Sequence, residues 1–252
     1  MPTKFSIVTC TWNSLPYLEE TIASVLKQDY QDYEWIFVDG GSTDGTLEMI
    51  RSLPRPFRLL ENVRGGISLA MNRGLEAATG EIVAHLHSDD FYVRPDVLSM
   101  VAQNLDATGK KWLFGRSMPV KDGVLQHEDW VAPPYTYKNL LKGNFIPHPA
   151  TFVNRELLLQ AGKFDTTLKY AMDYDLWLRL GRVAEPVQLS VPLAAMREHP
   201  GSLTTRDRLP TLKEDYQVRR RYQEPALTAR ALHFARYLVR RQRTLREIGQ
   251  HA

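Results

Sequence analysis

Acidic side chains that could bind a metal ion or move a proton occur at three separate points in this sequence. Asp39 ends one apolar segment, Asp89 and Asp90 end another, and Asp173 begins a segment with helical periodicity. Adjacent carboxylates offer the hard oxygen ligands that Mg²⁺ and Mn²⁺ prefer. A carboxylate at the mouth of such a site could deprotonate a hydroxyl group as a general base.

The elements that must position these carboxylates alternate between strand and helix patterns. Short β-branched apolar runs predict strands at residues 5–11, 33–39, 57–60, 81–87 and 112–115. Helical spacing of apolar residues predicts helices at residues 15–26, 46–53, 67–78, 96–107, 135–142, 155–161 and 173–182. The alternation indicates an α/β fold with a mostly parallel sheet flanked by helices, and segment 116–134 indicates a loop or hairpin.

An open parallel sheet binds ligands at the carboxyl ends of its strands. The first strand delivers Thr9, Thr11 and Asn13 toward that edge, and the second delivers Asp39. Asp39 is either a turn or helix-cap residue or an acceptor of hydrogen bonds from a nucleobase or ribose. No Gly-x-Gly-x-x-Gly or Gly-x-x-x-x-Gly-Lys-Ser/Thr loop follows the first strand, so the phosphates of a bound nucleotide would need a metal ion.

Histidines extend the candidate site. Because His85 and His87 are two residues apart on a strand, they share a face, and we expect them to pack in the sheet rather than bind zinc. His199, in a proline-containing loop, is a candidate third metal ligand or phosphate contact. Asp173 and Asp175 complement the dipole of the helix they begin, or Asp173 supplies the general base while Asp175 is a local cap.

Composition restricts the class of protein. The chain has 252 residues, 43% hydrophobic and 24% charged, which is typical of a globular protein with a sizeable core. The single cysteine, Cys10, excludes a disulfide framework, and its place in the first strand predicts a packing role. We find neither a secretory signal nor an apolar run of about 18 residues, so we expect a cytoplasmic protein.

Five ordered segments resemble the inverting family-two glycosyltransferases of GT-A fold, especially those of bacterial polysaccharide assembly. They are residues 6–25, 35–46, 66–82, 86–90 and 172–177. The resemblance implies a GT-A domain at 1–210, with a nucleotide-binding half at 1–110 and an acceptor half at 111–210. It also implies an enzyme that moves a sugar from a nucleotide-diphosphate sugar to an acceptor hydroxyl with inversion. The implied setting is cell-surface polysaccharide or glycolipid synthesis, and the implied acceptor is a carbohydrate or a lipid-linked molecule.

The resemblance also implies roles for individual residues. Asp89 would contact the donor ribose or sugar, Asp90 would coordinate Mg²⁺ or Mn²⁺, and Asp173 would be the catalytic base. The implied nucleoside contacts are Thr9, Thr11, Asn13 and Asp39. Four residues depart from the family pattern: Ser88 replaces a carboxylate, Met172 replaces the usual glutamate, and Arg64 and Leu69 replace frequent acidic residues.

Two rival classes share features with this chain. One is a non-catalytic nucleotide-sugar-binding or scaffolding protein on the same fold, which the presence of Asp90 and Asp173 disfavours. The other is a sugar-nucleotide nucleotidyltransferase, whose related sheet opens with a glycine-rich phosphate loop that is missing after the first strand.

The charge is concentrated at the C-terminus. Residues 213–252 contain 10 Lys or Arg and 4 Asp or Glu, a net charge of +6, whereas the first 212 residues have a net charge of −3. The pattern predicts a basic helical tail at 211–252, as two helices separated near Pro225. The tail either packs on the body or binds an anionic membrane at its inner face, and the acidic body disfavours nucleic acid as a partner.

Overall fold

The computed structural model describes residues 4–126, 131–199, 201–202, 206–223 and 227–250. Within these ranges the chain forms one mixed sheet with helices on both faces. The strands are β1 (Phe5–Thr11), β2 (Tyr33–Asp39), β3 (Arg58–Leu60), β4 (Ile82–His85), β5 (Phe91–Tyr92), β6 (Trp112–Lys121), β7 (Val124–Leu125), β8 (Thr151–Asn154) and β9 (Val187–Arg197). The helices are α1 (Leu15–Leu26), α2 (Thr46–Arg51), α3 (Ile67–Ala77), α4 (Val97–Thr108), α5 (Tyr137–Leu140), α6 (Arg155–Gln160), α7 (Met172–Leu180), α8 (Arg208–Tyr222) and α9 (Leu227–Gln250).

The strand order is β3-β2-β1-β4-β8-β6-β9-β5, with β7 beside β6. The first four strands run parallel, as the βαβ pattern predicts. β8 then lies antiparallel between β4 and β6, and β9 returns parallel to β6. After β1, the chain adds β2 and β3 on one side of that strand and then places β4 on its other side. This reversal opens a crevice at the carboxyl ends of β1 and β4.

Alternating side chains of the strands build two apolar layers. On β1, Val8 and Cys10 face the layer formed with α3 and α7, whereas Phe5 and Ile7 face the layer formed with α1 and α4. This is the period of two expected for a strand covered on both faces. The predicted packing role of Cys10 is confirmed, since this thiol is buried among apolar side chains.

Contact between α3 and β1 is close because Gly74 has no side chain. A Cβ atom at this position would collide with Val8. The glycine lets the helix backbone approach the central strand beside the crevice.

The sequence patterns correctly predict the α/β fold class and most elements of the first half. The predicted loop or hairpin at 116–134 begins as the extension of β6 and its turn into β7, and residues 127–130 of it lie outside the described ranges. The sequence patterns miss β9, whose run contains Pro192, a residue that cannot donate a ladder hydrogen bond. Pro192 is opposite Arg116, where the register between β6 and β9 shifts.

The C-terminal segment forms the two predicted helices, and the predicted break at Pro225 lies outside the described residues. α8 packs on the body: Val218 and Arg219 are buried, and the Arg219 guanidinium donates to the Lys142 carbonyl across 2.7 Å. α9 packs on α8 through Tyr237, whose ring stacks on Tyr216 with centroids 4.6 Å apart. Among the described residues, no helix combines the length and apolar character needed to cross a membrane.

Candidate active site

Asp39 anchors the turn at the end of β2. Its Oδ1 accepts hydrogen bonds from the backbone N–H groups of Gly41 and Ser42, each across 2.8 Å. Its Oδ2 accepts from the hydroxyl groups of Thr11 and Ser42 across 2.8 and 2.5 Å. The carboxylate therefore has the turn-forming geometry of the first interpretation, and its contact with a nucleoside stays a prediction.

The other predicted nucleoside contacts divide into two groups. Thr11 and Asn13 lie at the edge of the crevice, where Asn13 Oδ1 accepts from the Thr43 backbone across 3.0 Å. Thr9 instead lies in the core, fully buried, with its hydroxyl accepting from Trp35 Nε1 across 3.0 Å. The structure does not bring Thr9 to the crevice surface, because its side chain points into the apolar layer that contains α1 and α4.

His199 meets Asp89 rather than Asp90. The His199 Nε2 atom lies 3.0 Å from Asp89 Oδ2, although the two residues are 110 positions apart. This contact forms because β9 pairs with β5, the strand that directly follows Asp89 and Asp90. At the end of β9 the Arg197 Nε donates to the Asp89 carbonyl across 3.3 Å. Burial alone raises the pKa of Asp89, but the hydrogen bond with His199 and the nearby His87 ring outweigh it and lower the pKa below the ordinary value. Asp89 is thus held as a carboxylate.

Asp90 is more deeply buried than Asp89. Its side chain is buried and its Oδ1 accepts from the Arg197 backbone N–H across 3.2 Å, while its carbonyl accepts from the Thr21 hydroxyl across 2.7 Å. Burial and the neighbouring charge of Asp89 raise the pKa of Asp90 well above the ordinary value. These contacts give Asp90 the geometry of a residue that fixes the end of β9 and helix α1 against the start of β5.

The donor set of Asp89 and His199 fits a divalent cation. One carboxylate and one imidazole are suitable ligands for Mn²⁺ or Mg²⁺, which commonly takes its remaining ligands from substrate phosphates and water. Consistent with this partial set, the described residues contain no group of three or more His, Cys, Asp or Glu side chains placed to hold a metal by themselves.

Asp173, the predicted catalytic base, lies in the first turn of α7. Its Oδ2 accepts a hydrogen bond from Asn144 Nδ2 across 3.1 Å. Burial raises the pKa of Asp173 to about 6, against the opposing hydrogen bonds from Tyr174 and Asn144. A pKa near the working pH suits a group that takes a proton and later gives it up. Asp175, the candidate cap, instead faces the tail and accepts from the Tyr222 hydroxyl across 2.7 Å.

A row of imidazole and indole rings connects the segment before Asp89 to helix α7. His87 lies against His148 with ring centroids 5.0 Å apart, and His148 lies 5.9 Å from Trp177 on α7. His85 joins the row 5.7 Å from His148. Burial lowers the pKa of all three histidines, to about 3 for His85. The packing role expected for His85 and His87 is what the structure shows, with His148 as a partner that the sequence patterns do not identify.

Three residues of this region carry no local sequence signal. Asn144 contacts Asp173, Arg197 positions Asp89 and Asp90, and Glu214 of α8 contacts the start of α7. Each contact joins segments far apart in the chain, so no motif spacing could reveal it.

Comparison with solved structures identifies the fold. Staphylococcus aureus TarS 1–349 in complex with UDP-GlcNAc matches with a TM-score of 0.72 at 22% identity over 93% of this chain and 71% of that chain. A mannosyltransferase from Pyrobaculum calidifontis, in complex with GDP-Man and Mn²⁺, matches with a TM-score of 0.68 at 20% identity over 94% and 69%. This chain spans 43% of the longer TarS chain. These likenesses show a GT-A fold.

Sequence comparison gives the family. The model described as glycosyl transferase family 2 matches residues 6–154. An uncharacterised glycosyltransferase of Mycobacterium tuberculosis is 30% identical over 191 residues, 73% of this chain and 71% of that protein. A putative teichuronic acid biosynthesis glycosyltransferase of Bacillus subtilis, TuaG, is 29% identical over 181 residues, 69% and 71% of the two chains. This chain belongs to glycosyl transferase family 2.

Proposed function

We propose that this chain transfers a sugar from a nucleoside-diphosphate sugar to an acceptor hydroxyl, with inversion at the anomeric carbon, in the assembly of a surface polysaccharide. The observation that carries the proposal is the half-buried Asp173 carboxylate, which Asn144 holds at the start of α7, together with the contact between Asp89 and His199. The relation to TuaG supports the polysaccharide setting.

Asp173 acts as the general base in this proposal. Its carboxylate takes the proton of the acceptor hydroxyl as the oxygen attacks the anomeric carbon, and the bond from that carbon to the diphosphate oxygen breaks. Asn144 orients the carboxylate through its hydrogen bond to Oδ2. A single displacement of this kind inverts the configuration, since the nucleophile enters opposite the leaving group.

Asp89 and His199 hold the divalent cation in this proposal. When bound, Mn²⁺ or Mg²⁺ neutralises the charge that develops on the departing diphosphate. This assignment differs from the one that the sequence resemblance implies, because the contacts of Asp90 lie on β9 and α1 rather than in the crevice. Arg197 keeps Asp89 in place from behind.

The exposed face of α9 supports a second proposal, that this helix lies on an anionic lipid surface. Leu227, Leu238 and Val239 are 81%, 45% and 70% exposed. Arg241 and Arg246 are exposed on the same helix, whose Phe234 and Tyr237 rings pack on Tyr216 of α8. An amphipathic helix with basic flanks binds such surfaces, at roughly 1 kcal/mol per basic group. A lipid-linked acceptor would then be within reach.

The sugar-transfer proposal is tested with the donors found in the related structures. UDP-GlcNAc and GDP-mannose are incubated separately with the protein and Mn²⁺, and proton NMR follows the anomeric signals with water as the acceptor. We expect one of these α-linked donors to give the β sugar as first product, and EDTA to stop its release. Absence of any sugar release, or an α first product, would contradict the proposal.

The lipid proposal is tested by sedimentation with phosphatidylglycerol vesicles. We expect the wild-type protein to pellet and the Leu238→Glu variant to remain in the supernatant, because the added charge opposes burial in the headgroup region. Equal pelleting of the two proteins, or none for either, would contradict it.

A further inference from the structure

Helix α8 lies beyond the family match at residues 6–154, yet it touches the helix that carries Asp173. Glu214 of α8 accepts hydrogen bonds from three consecutive backbone N–H groups just before α7. The distances are 3.1 Å from Lys169, 2.5 Å from Tyr170 and 2.7 Å from Ala171. Backbone N–H groups at the start of a helix have no partners within the helix, and a carboxylate there also complements the helix dipole. Glu214 therefore fixes where α7 begins, one residue before Asp173.

One turn further along, α8 holds the loop that reaches Asp173 from the other side. Arg219 is buried and donates from Nη1 to the Lys142 carbonyl across 2.7 Å. In the same loop, Asn144 Nδ2 donates to Asp173 Oδ2 across 3.1 Å. Tyr174, next to Asp173 in the chain, donates from its hydroxyl to the Leu140 carbonyl across 2.6 Å. Residues 140–144 are thus fixed between α8 and α7.

α8 also brings a second carboxylate toward Asp173. Asp215 follows Glu214 on this helix. Burial first, and then the charge of Asp173, raise the pKa of Asp215 to about 7. Asp215 is therefore largely protonated, and a neutral neighbour of the base, at the pH where Asp173 titrates.

We propose that α8 is part of the catalytic apparatus, with Glu214 and Arg219 as positioning residues that place Asp173 and its partner Asn144. The proposal rests on the function given above for Asp173. In this proposal α8, the first helix of the tail, belongs to the acceptor side of the active site. Helix α9 has no such role. A displacement of about 1 Å in a reacting group can cost about 10²-fold in rate, so small movements of the first turn of α7 have large effects.

The test compares three variants of the full chain. Glu214→Ala removes the acceptor of three hydrogen bonds, whereas Glu214→Gln retains an acceptor oxygen. Glu247→Gln is the matched control, because Glu247 accepts from Arg208 and Arg243 and contacts neither α7 nor residues 140–144. Each variant is assayed for nucleoside diphosphate release from UDP-GlcNAc and GDP-mannose with Mn²⁺, for binding of UDP and GDP, and for amide hydrogen exchange.

We expect Glu214→Ala to lower kcat by roughly 10- to 100-fold with nucleotide binding unchanged. Glu214→Gln should recover most of the rate, and Glu247→Gln should match the wild type. Exchange of the Lys169, Tyr170 and Ala171 amides should accelerate in Glu214→Ala and not in the control. Wild-type kcat in Glu214→Ala, or unchanged exchange at these amides, would overturn the proposal. An equal loss in Glu247→Gln would also overturn it.

The exchange measurement separates this proposal from the one on function. A wild-type protein that consumes no nucleotide sugar would refute the assigned reaction, whereas the exchange rates report the contact between Glu214 and α7 without any turnover. If Glu214→Ala fails to fold, the Arg219→Met variant decides, because it removes the donor to the Lys142 carbonyl. Wild-type kcat in Arg219→Met would overturn the role assigned to Arg219.

Discussion

His199 Nε2 lies 3.0 Å from Asp89 Oδ2 and makes no contact of this kind with Asp90 among the described residues. This pair provides one imidazole and one carboxylate at the carboxyl end of β4, where the crevice opens. Asp90 instead fixes the backbone of Arg197. The two neighbouring carboxylates therefore have different tasks, and substitution can separate them.

The first prediction concerns the cation. His199→Ala should weaken Mn²⁺-dependent binding of UDP or GDP roughly tenfold or more, because it removes one of two protein ligands. Isothermal titration with and without Mn²⁺ measures the change. Binding that remains equally dependent on Mn²⁺ in His199→Ala would contradict the assignment.

The second prediction uses Asp90→Asn as the contrast. Since burial and Asp89 already oppose ionisation of Asp90, a neutral amide of the same shape should keep the contact with the Arg197 backbone. The same titration should therefore show unchanged affinity for Mn²⁺. If Asp90→Asn lost as much affinity for Mn²⁺ as Asp89→Asn, Asp90 would be a metal ligand and the assignment to Asp89 alone would be wrong.

The third prediction concerns the pH dependence of the reaction. Asp173 must be deprotonated to act as a base, and its pKa is raised to about 6 by burial. The value of kcat/KM should therefore fall as the pH drops through about 6. Since the pKa of Asp215 is raised to about 7, this neighbour is largely protonated at the pH where Asp173 titrates, and Asp215→Asn should leave the acidic limb in place. A limb that moves to lower pH in Asp215→Asn would show that Asp215 is charged where Asp173 titrates.

The fourth prediction concerns stability. Burial lowers the pKa of His85 to about 3, so the folded protein keeps this ring neutral while the unfolded chain protonates it below its ordinary pKa of 6.5. Because the unfolded state then binds more protons, stability is present above pH 6.5 and is lost as the pH falls toward 3.

Urea denaturation of the wild type and of His85→Met at two pH values measures this term. Between pH 7 and about pH 5, the wild type should lose about 2 kcal/mol more of its free energy of unfolding than the variant. Equal losses in the two proteins would show that His85 does not oppose protonation in the fold. The comparison cancels the other groups that titrate in the same range.

The sequence predicts the first half of the fold well because its signals are local. β1 and β2 are continuous apolar runs whose observed bounds equal the predicted ones, and the helix between them follows the apolar spacing. The second half is less predictable. β9 contains Pro192 and pairs at a bulge, so its pattern does not resemble an interior strand.

The candidate site is predictable as a set of residue types but not as a set of contacts. Asp89, Asp173 and His199 are all identified from the sequence, yet the pairing of His199 with Asp89 depends on the pairing of β9 with β5. Thr9 follows the strand pattern into the core, where it contacts Trp35. Glu214 lies in a basic segment whose charge pattern gives no sign of its contact with α7.

The central claim is that Asp173 is the base, and one substitution tests it directly. Asp173→Asn keeps the shape of the side chain and its contact with Asn144, while Asp122→Asn in the exposed β6–β7 turn is the matched control. Release of nucleoside diphosphate from the accepted donor is measured for both variants, alongside nucleotide binding. The account predicts a loss of roughly 10²- to 10⁴-fold in kcat for Asp173→Asn, with binding intact and the control at the wild-type rate. Wild-type kcat in Asp173→Asn would contradict it.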